Sequence, residues 1–180
     1  MRSLQNILAP AKLNLFLHIT GQREDGYHLL QSVFMLIDWC DTLHFDLRDD
    51  GVITRQDLTL ELPADDLVMR AARSLQQASG SHLGAHIAIE KHIPAQAGMG
   101  GGSSDAATTL LSLNRLWGLN WPLSKLMPLA LSLGADVPFF MGGHNAWVEG
   151  IGEKITPIHL PASRFAVSYT HLTLPTIYSV

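Results

Sequence analysis

The chain has 180 residues, of which 47% are hydrophobic and 16% charged, and its formal net charge is −4. This length suffices for one domain with a real core, or for a domain plus a fragment. The slight acidity argues against a nucleic-acid partner, because a nucleic-acid binder needs a basic face to neutralise phosphates.

The cysteine count and the apolar segments restrict the compartment. Cys40 is the single cysteine, which excludes an internal disulfide framework and indicates a reducing compartment, and we expect it to be a buried small hydrophobe. No apolar stretch is long enough to span a membrane and no signal peptide is recognised. We therefore expect a cytoplasmic protein without membrane contact.

The first half of the chain predicts mainly strands. Leu13, Leu15, Leu17 and Ile19 alternate with other residues, and a period of two predicts a strand over 9–20 with one buried face. Further extended segments are predicted at 27–38, 43–47, 52–62, 85–89 and, as short strands around a Gly-Gly turn, 137–158.

Helices are interspersed among these strands. Asp65 or Asp66 can cap a helix over 67–79, which Gly80 ends. Two more are predicted at 103–117, beginning with two serines, and at 124–133, capped by Ser124. The elements lack a strict βαβα rhythm, which favours a two-layer α+β domain.

The C-terminal tail is treated separately. The run VSYTHLTLPT at 167–176 resembles the conceptual translation of a transposon adapter used in preparing sequencing libraries. We therefore exclude residues 167–180 from the fold and the function, with a genuine terminal strand as the alternative.

A glycine-rich loop is the strongest functional signal. Adjacent glycines allow a ligand to approach the backbone closely, and the start of the next helix attracts an anion. The loop lacks the lysine of a Walker A motif, and Ser103 replaces the last glycine of a dinucleotide fingerprint. A different phosphate-binding loop is predicted, with a flexible connection as the alternative. Its residues are Pro94, Ala95, Gln96, Ala97, Gly98, Met99, Gly100, Gly101, Gly102, Ser103 and Ser104.

Lys12 and Asp136 are the candidate catalytic residues. Lys12 shares a strand face with Asn14, and Asp136 precedes an apolar segment in which an unpaired carboxylate is costly. Phosphorylating an alcohol requires a group that accepts its proton, and a nearby ammonium stabilises the developing charge. The pair does this only if the fold brings the two together; a surface lysine and an Asx turn or ion pair are the alternatives.

These motifs together resemble the GHMP kinase superfamily of small-molecule kinases. The resemblance covers about residues 9–158 and rests on PAKLNLFLHITGQREDGYH at 10–28, GMGGGSSDAA at 98–107 and LGADVPFF at 133–140. It implies a fold like domain 2 of ribosomal protein S5 for residues 1–166. ATP would lie beside the glycine loop, with Mg²⁺ held mainly by phosphate oxygens and water.

The DGYH turn at 25–28 is similar to one branch of that superfamily and implies a substrate. The expected reaction transfers the γ-phosphate to the 2-hydroxyl of a cytidine-diphosphate-linked methylerythritol, in non-mevalonate isoprenoid synthesis. Alternatives are a homoserine- or mevalonate-kinase-like enzyme and a non-catalytic nucleotide-binding module. The oligomeric state stays open.

Motif positions in the family imply the role of each residue. Asp136 is the expected base and Lys12 its partner, while Lys91 contacts the nucleotide. Tyr27 stacks on the cytosine, His28 reads its polar edge, and Asn14 contacts the methylerythritol end. The alternative for Tyr27 and His28 is a plain turn. No metal cage is expected, because His82 and His86 are read as surface histidines.

Two departures from the family pattern matter. Asp66 stands where the family often has asparagine, which would alter contacts to the adenosine. The family's second domain, with its late glycine-rich motif, is missing, so we expect the chain as written to be inactive or nearly so.

Overall fold

The computed structural model describes residues 2–161, so residues 162–180, including the proposed adapter tail, lie outside the description. Within this range the elements in chain order are β1 Ser3–Gln22, β2 His28–Arg48, β3 Ile53–Asp57, α1 Leu67–Ser79, β4 Gly84–Glu90, α2 Gly101–Leu116, α3 Leu123–Leu133, α4 Val137–Gly142, β5 Ala146–Gly150 and β6 Lys154–Pro157. No helix of this part of the chain has both the length and the apolar character needed to cross a membrane.

One sheet contains all six of the described strands, in the order β3-β4-β2-β5-β6, with β1 paired to β2. β2 is long enough to pair with β4 through its second half, from Thr42, and with β5 through its first half, from Leu30. β1 runs antiparallel along β2, and only β3 and β4 pair in parallel. This mixed sheet with packed helices is the predicted two-layer α+β fold.

The core joins the helices to the sheet in a single apolar cluster. Phe45 and Ile87 from the strands meet Leu75 of α1 and Leu110 of α2, and all four are fully buried. Burying side chains of this size contributes about 1.5–3 kcal/mol each. The glycine loop, which connects β4 to α2, is therefore held between two well-packed elements.

The predicted helix α1 is confirmed at both ends. The side chain of Asp66 accepts a hydrogen bond from the Met69 N–H at 3.0 Å, and Gly80 ends the helix with a φ of 65°. Apart from 137–142, the strand predictions are correct in position but not in extent, because 27–38 and 43–47 form one strand and 52–62 contains only β3.

Three local predictions are wrong. α2 begins at Gly101 with Gly100 as its N-cap, two residues before the predicted start, so Ser103 and Ser104 lie inside its first turn and do not cap it. α3 follows Pro122, and Ser124 lies within it. The first part of 137–158 is the helix α4, because a short apolar run buried on all sides does not reveal its period.

Two expectations about burial are also wrong in this structure. The leucine face predicted to be buried in β1 is exposed beyond the partly buried Leu13, with Leu15 41%, Leu17 44% and Ile19 55% accessible. This part of the β1–β2 hairpin projects beyond the core that the helices form. Cys40 is only half-buried, and its partial burial, followed by the nearby carboxylates Asp38 and Asp41, raises the pKa of the thiol.

Candidate active site

The glycine loop forms the wall of a cavity of about 450 Å³. The apolar side chains of Leu62, Leu67 and Ile93 also line it, together with the carboxylate of Asp66. A mainly apolar cleft with a few polar groups is typical of a small-ligand site. Every residue from Pro94 to Ser103 lines this cavity, whereas Ser104 is fully buried.

The loop's backbone conformation depends on glycine at position 100. Gly100 has a φ of 72°, and a Cβ on it would lie 2.8 Å from the ring of Phe140. Gly98 also has a positive φ, 70°, but nothing lies within 4 Å of its Cβ position. Because α2 begins directly after Gly100, its first amides lack intrahelical partners and are available to an anion in the cavity.

Lys12 and Asp136 lie together beside this loop. The Lys12 Nζ is 3.6 Å from Asp136 Oδ2 and 2.7 Å from Asn14 Oδ1, and it lies 4.1 Å from the centre of the Phe34 ring. The lysine is 2% exposed, whereas a third of the Asp136 side chain is accessible. The buried ammonium therefore contacts a carboxylate that is itself partly open to solvent.

Burial lowers the pKa of Lys12, and the charge of Asp136 offsets this only partly. The backbone N–H of Lys12 donates a hydrogen bond to the Met99 carbonyl at 2.9 Å, which links β1 to the glycine loop. Strand alternation places Lys12 and Asn14 on one face, and Asp136 directly precedes α4. Three elements that are distant in sequence thus meet beside Met99 and Gly100 of the loop.

Aromatic rings pack next to the Lys12–Asp136 pair and the glycine loop. Phe139 of α4 contacts Phe34 edge-on, with 5.3 Å between ring centres, and its neighbour Phe140 lies against Gly100. Such pairs are worth about 0.5–1.5 kcal/mol beyond their buried area. The helix α4, which the sequence did not reveal, therefore positions both Asp136 and the loop.

Tyr27 and His28 lie elsewhere, at the tip of the β1–β2 hairpin. His28 pairs with Gln22, whereas Asn14 pairs with Phe34 farther along the same ladder. Tyr27 is 43% exposed, and its N–H donates to Asp25 Oδ1 at 3.3 Å. The structure thus groups Asn14, but neither Tyr27 nor His28, with the Lys12–Asp136 pair.

Lys91 lines the cavity but is engaged by two carboxylates that sequence reasoning missed. Its Nζ contacts Asp41 Oδ2, and it lies 2.6 Å from Asp105 Oδ2. Asp105 stands in the glycine-loop motif and was detectable there as an acid in an apolar helix. Asp41 has no comparable signal, because it lies in a stretch with several other exposed-type polar residues.

The two candidate surface histidines differ in exposure. His82 is exposed, and His86 is half-buried, with its Nδ1 2.9 Å from Thr54 Oγ1. Within residues 2–161 no three metal-binding side chains are grouped for a metal ion.

In this α+β domain a glycine loop at a helix start lies next to a buried lysine that contacts a carboxylate, and such an arrangement is suited to holding a phosphate. Residues 66–144 match the sequence profile of the GHMP kinases N terminal domain. Residues 66–144 of the chain therefore form part of a GHMP kinase N-terminal domain.

Curated relatives cover nearly all of the chain. A protein of Albidiferax ferrireducens named 4-diphosphocytidyl-2-C-methyl-D-erythritol kinase is 74% identical over 167 residues, which are 93% of this chain and 58% of that protein. A protein of the same name from Variovorax paradoxus is 70% identical, over 93% of this chain and 57% of its own length. The chain thus spans less than two thirds of either relative.

Solved structures agree with the fold. A crystal structure titled 4-(cytidine 5'-diphospho)-2C-methyl-D-erythritol kinase has a TM-score of 0.75 and 40% identity, covering 87% of this chain and 56% of that one. A homoserine kinase from Cytophaga hutchinsonii has a TM-score of 0.67 over 90% of this chain and 53% of its own, but only 18% identity. The latter likeness shows the fold alone.

Proposed function

We propose that the protein to which this chain belongs is an ATP-dependent kinase that phosphorylates the 2-hydroxyl of 4-diphosphocytidyl-2-C-methyl-D-erythritol. The observation that carries the proposal is the Lys12–Asp136 pair, 3.6 Å apart beside the glycine loop. The names of relatives with 70% and 74% identity support this substrate. The reaction would belong to non-mevalonate isoprenoid synthesis.

Asp136 is the proposed base and Lys12 its partner. As the substrate oxygen bonds to the γ-phosphorus, its proton passes to the Asp136 carboxylate, the bond to the β-phosphate oxygen breaks, and ADP leaves. The Lys12 ammonium lowers the pKa of the alcohol and balances charge on the transferred group. The accessible third of Asp136 is the side that the hydroxyl would approach.

The glycine loop is the proposed ATP site, from Pro94 to Gly102 together with Ser103 and Ser104. Its cavity of about 450 Å³ has an apolar wall suited to a purine, and the α2 amides would receive the phosphates. Of the two serines, Ser103 lines the cavity and would reach a phosphate-bound Mg²⁺. The metal would neutralise phosphate charge, held mainly by phosphate oxygens and water. Lys91, which also lines the cavity, is a further proposed contact to the nucleotide.

The acceptor substrate is proposed to extend from Asn14 toward the hairpin tip. Asn14 would contact the methylerythritol end, while Tyr27 stacks on the cytosine and His28 bonds to its edge. The exposure of Tyr27, 43%, leaves its ring available for stacking. This arrangement requires the substrate to lie along the hairpin.

The domain organisation follows from the same proposal. Residues 1–166 would be the ATP-binding domain, residues 167–180 an artefactual tail, and a second domain would complete the substrate site. The exposed apolar residues of the hairpin, including Leu17 and Ile19, fit a surface that needs a further segment to cover it. We propose a cytoplasmic enzyme with a small-molecule substrate and without nucleic-acid or membrane partners.

A hybrid protein tests this function directly. Residues 1–161 would be joined to the remainder of the Albidiferax ferrireducens relative, and ADP release would be measured with ATP and each acceptor in turn. We expect turnover with 4-diphosphocytidyl-2-C-methyl-D-erythritol and background rates with homoserine and mevalonate. Turnover with one of the latter acceptors instead would overturn the assignment. The unaltered relative serves as the positive control, and the 180-residue chain alone should be nearly inactive.

A further inference from the structure

Below the glycine loop lies a buried cluster of three charged side chains: Asp41, Lys91 and Asp105. Their side chains are 0%, 9% and 3% exposed, respectively. The Lys91 ammonium contacts both carboxylates, at 2.6 Å in the case of Asp105. Burying ions costs free energy that their mutual attraction often fails to offset. Overall stability is therefore a weak reason for this cluster to be buried here.

The members of the cluster contact the segments on both sides of the glycine loop. Asp41, on β2, accepts hydrogen bonds through Oδ1 from the backbone N–H groups of His92 at 2.6 Å and Ile93 at 2.8 Å. These two residues lead directly into the loop. Asp105 lies in the first turns of α2, where the loop ends. Lys91 joins the two carboxylates, so the cluster links the loop's entrance to its exit.

The loop backbone also rests directly on this cluster. A Cβ added to Gly101 would lie 3.3 Å from Lys91 Nζ and 3.1 Å from the Ile93 side chain. The ammonium therefore lies against the first residue of α2, where anion-binding amides are expected.

We propose that Asp41, Lys91 and Asp105 are positioning residues that clamp the two ends of the glycine loop and so preset its amides for the triphosphate before a nucleotide binds. The proposal rests on the proposed function for the identity of the ligand. The clamp itself is a property of the nucleotide-free chain. Presetting these amides reduces the entropy lost on binding and thereby increases affinity.

The charge balance agrees with this role. Burial raises the pKa of Asp105 to about 7, although the neighbouring Lys91 opposes the rise. Burial lowers the pKa of Lys91, but Asp105 and Asp41 outweigh it and raise the pKa overall. The lysine thus stays charged between its two partners. Because Asp105 readily keeps its proton, the three side chains together carry little net charge next to the triphosphate.

Two substitutions of Asp105 distinguish a specific effect on the glycine loop from a general effect on core packing. Asp105→Asn keeps an oxygen that can accept from Lys91, whereas Asp105→Leu has similar size without an acceptor. Amide hydrogen exchange of the 180-residue chain without nucleotide is the first readout. In Asp105→Leu we expect loop amides 95–103 to exchange at least about tenfold faster, with those of α1 unchanged. In Asp105→Asn we expect these loop amides to be protected at least as well as in the parent.

Titration of the same proteins with Mg-ATP is the second readout. Asp105→Leu should bind at least about tenfold more weakly than the parent and Asp105→Asn. Equal loop exchange in all three proteins, or equal acceleration across the whole chain in Asp105→Leu, would overturn the clamp. If the loop loosens as expected but the parent binds no ATP, the clamp stands and the nucleotide assignment fails.

Discussion

The Nζ of Lys12 and the Oδ2 of Asp136 lie 3.6 Å apart, although one residue is in the first strand and the other precedes the last helix of the described chain. The lysine is buried, and the aspartate is partly open. This asymmetry gives the two residues different expected responses to substitution.

Asp136→Asn should abolish most phosphoryl transfer in the hybrid enzyme. The amide cannot accept the substrate proton, so kcat should fall about 10²–10⁴-fold, whereas affinity for Mg-ATP should change little. Steady-state ADP release and nucleotide titration measure the two quantities. Asp65→Asn is the matched control, since its side chain is 72% exposed and pairs at the surface with Arg73. Wild-type kcat in Asp136→Asn would exclude it as the base.

Lys12→Met should separate activity from stability. Burial lowers the pKa of Lys12, which shows that the ammonium is poorly solvated, so an apolar side chain of similar length should leave the thermal midpoint unchanged or higher. Phosphoryl transfer should be lost, because the cation beside Asp136 is gone. Thermal unfolding and ADP release of the same preparation measure both effects. A large drop in midpoint without loss of kcat would contradict this interpretation.

Gly100→Ala and Gly98→Ala form a matched pair in the glycine loop. Both residues have a positive φ, which costs a non-glycine residue about 1–2 kcal/mol. Only at Gly100 would the new Cβ also meet the Phe140 ring, at 2.8 Å. We therefore expect Gly100→Ala to destabilise the fold more and to weaken Mg-ATP binding more. The prediction fails if the two variants have the same unfolding free energy and the same affinity.

Asp105→Asn should make the fold more stable at alkaline pH. The pKa of Asp105 is raised from 3.8 to about 7 when folded, so the folded state binds its proton more tightly than the unfolded state. The stability that comes from this proton is complete below about pH 4 and is lost as pH rises through about 7. Asp41 and Lys91 are the charged groups that face this carboxyl.

The advantage of Asp105→Asn over the parent should therefore be near zero at pH 4. It should grow to at most about 4 kcal/mol at pH 8, the equivalent of roughly three pKa units. Chemical denaturation across this pH range measures the difference. A constant difference at all pH values would show that Asp105 does not titrate in this way.

Tyr27→Ala should affect the acceptor substrate alone. Loss of base stacking is worth about 1–3 kcal/mol, so KM for the cytidine-linked substrate should rise about 5- to 150-fold while KM for ATP stays the same. Because Tyr27 is 43% exposed at a hairpin tip, its removal should barely change the thermal midpoint. An unchanged KM for this substrate in the hybrid enzyme would exclude stacking of Tyr27 on the cytosine.

Features that depend on neighbours in sequence could be predicted from the sequence. The ends of α1 depend on a capping aspartate and a terminating glycine within the helix itself, and both were predicted correctly. The glycine loop is likewise recognisable from adjacent residues. The boundaries of α2 were less accurate, because Gly100, and not a serine, supplies the N-cap, and the Phe140 ring that excludes a Cβ there comes from a distant part of the chain.

Features that depend on distant residues needed the tertiary structure. Local sequence identifies Lys12 and Asp136 as chemically suitable, but their separation depends on how β1, α4 and the loop pack, since strand and helix signals carry no information about which elements meet. For the same reason the partners of Lys91 and the exposure of Leu15 and Leu17 were missed. The sequence by itself thus determined the chemical groups and the local turns, whereas packing of the core decided which groups face one another and which face solvent.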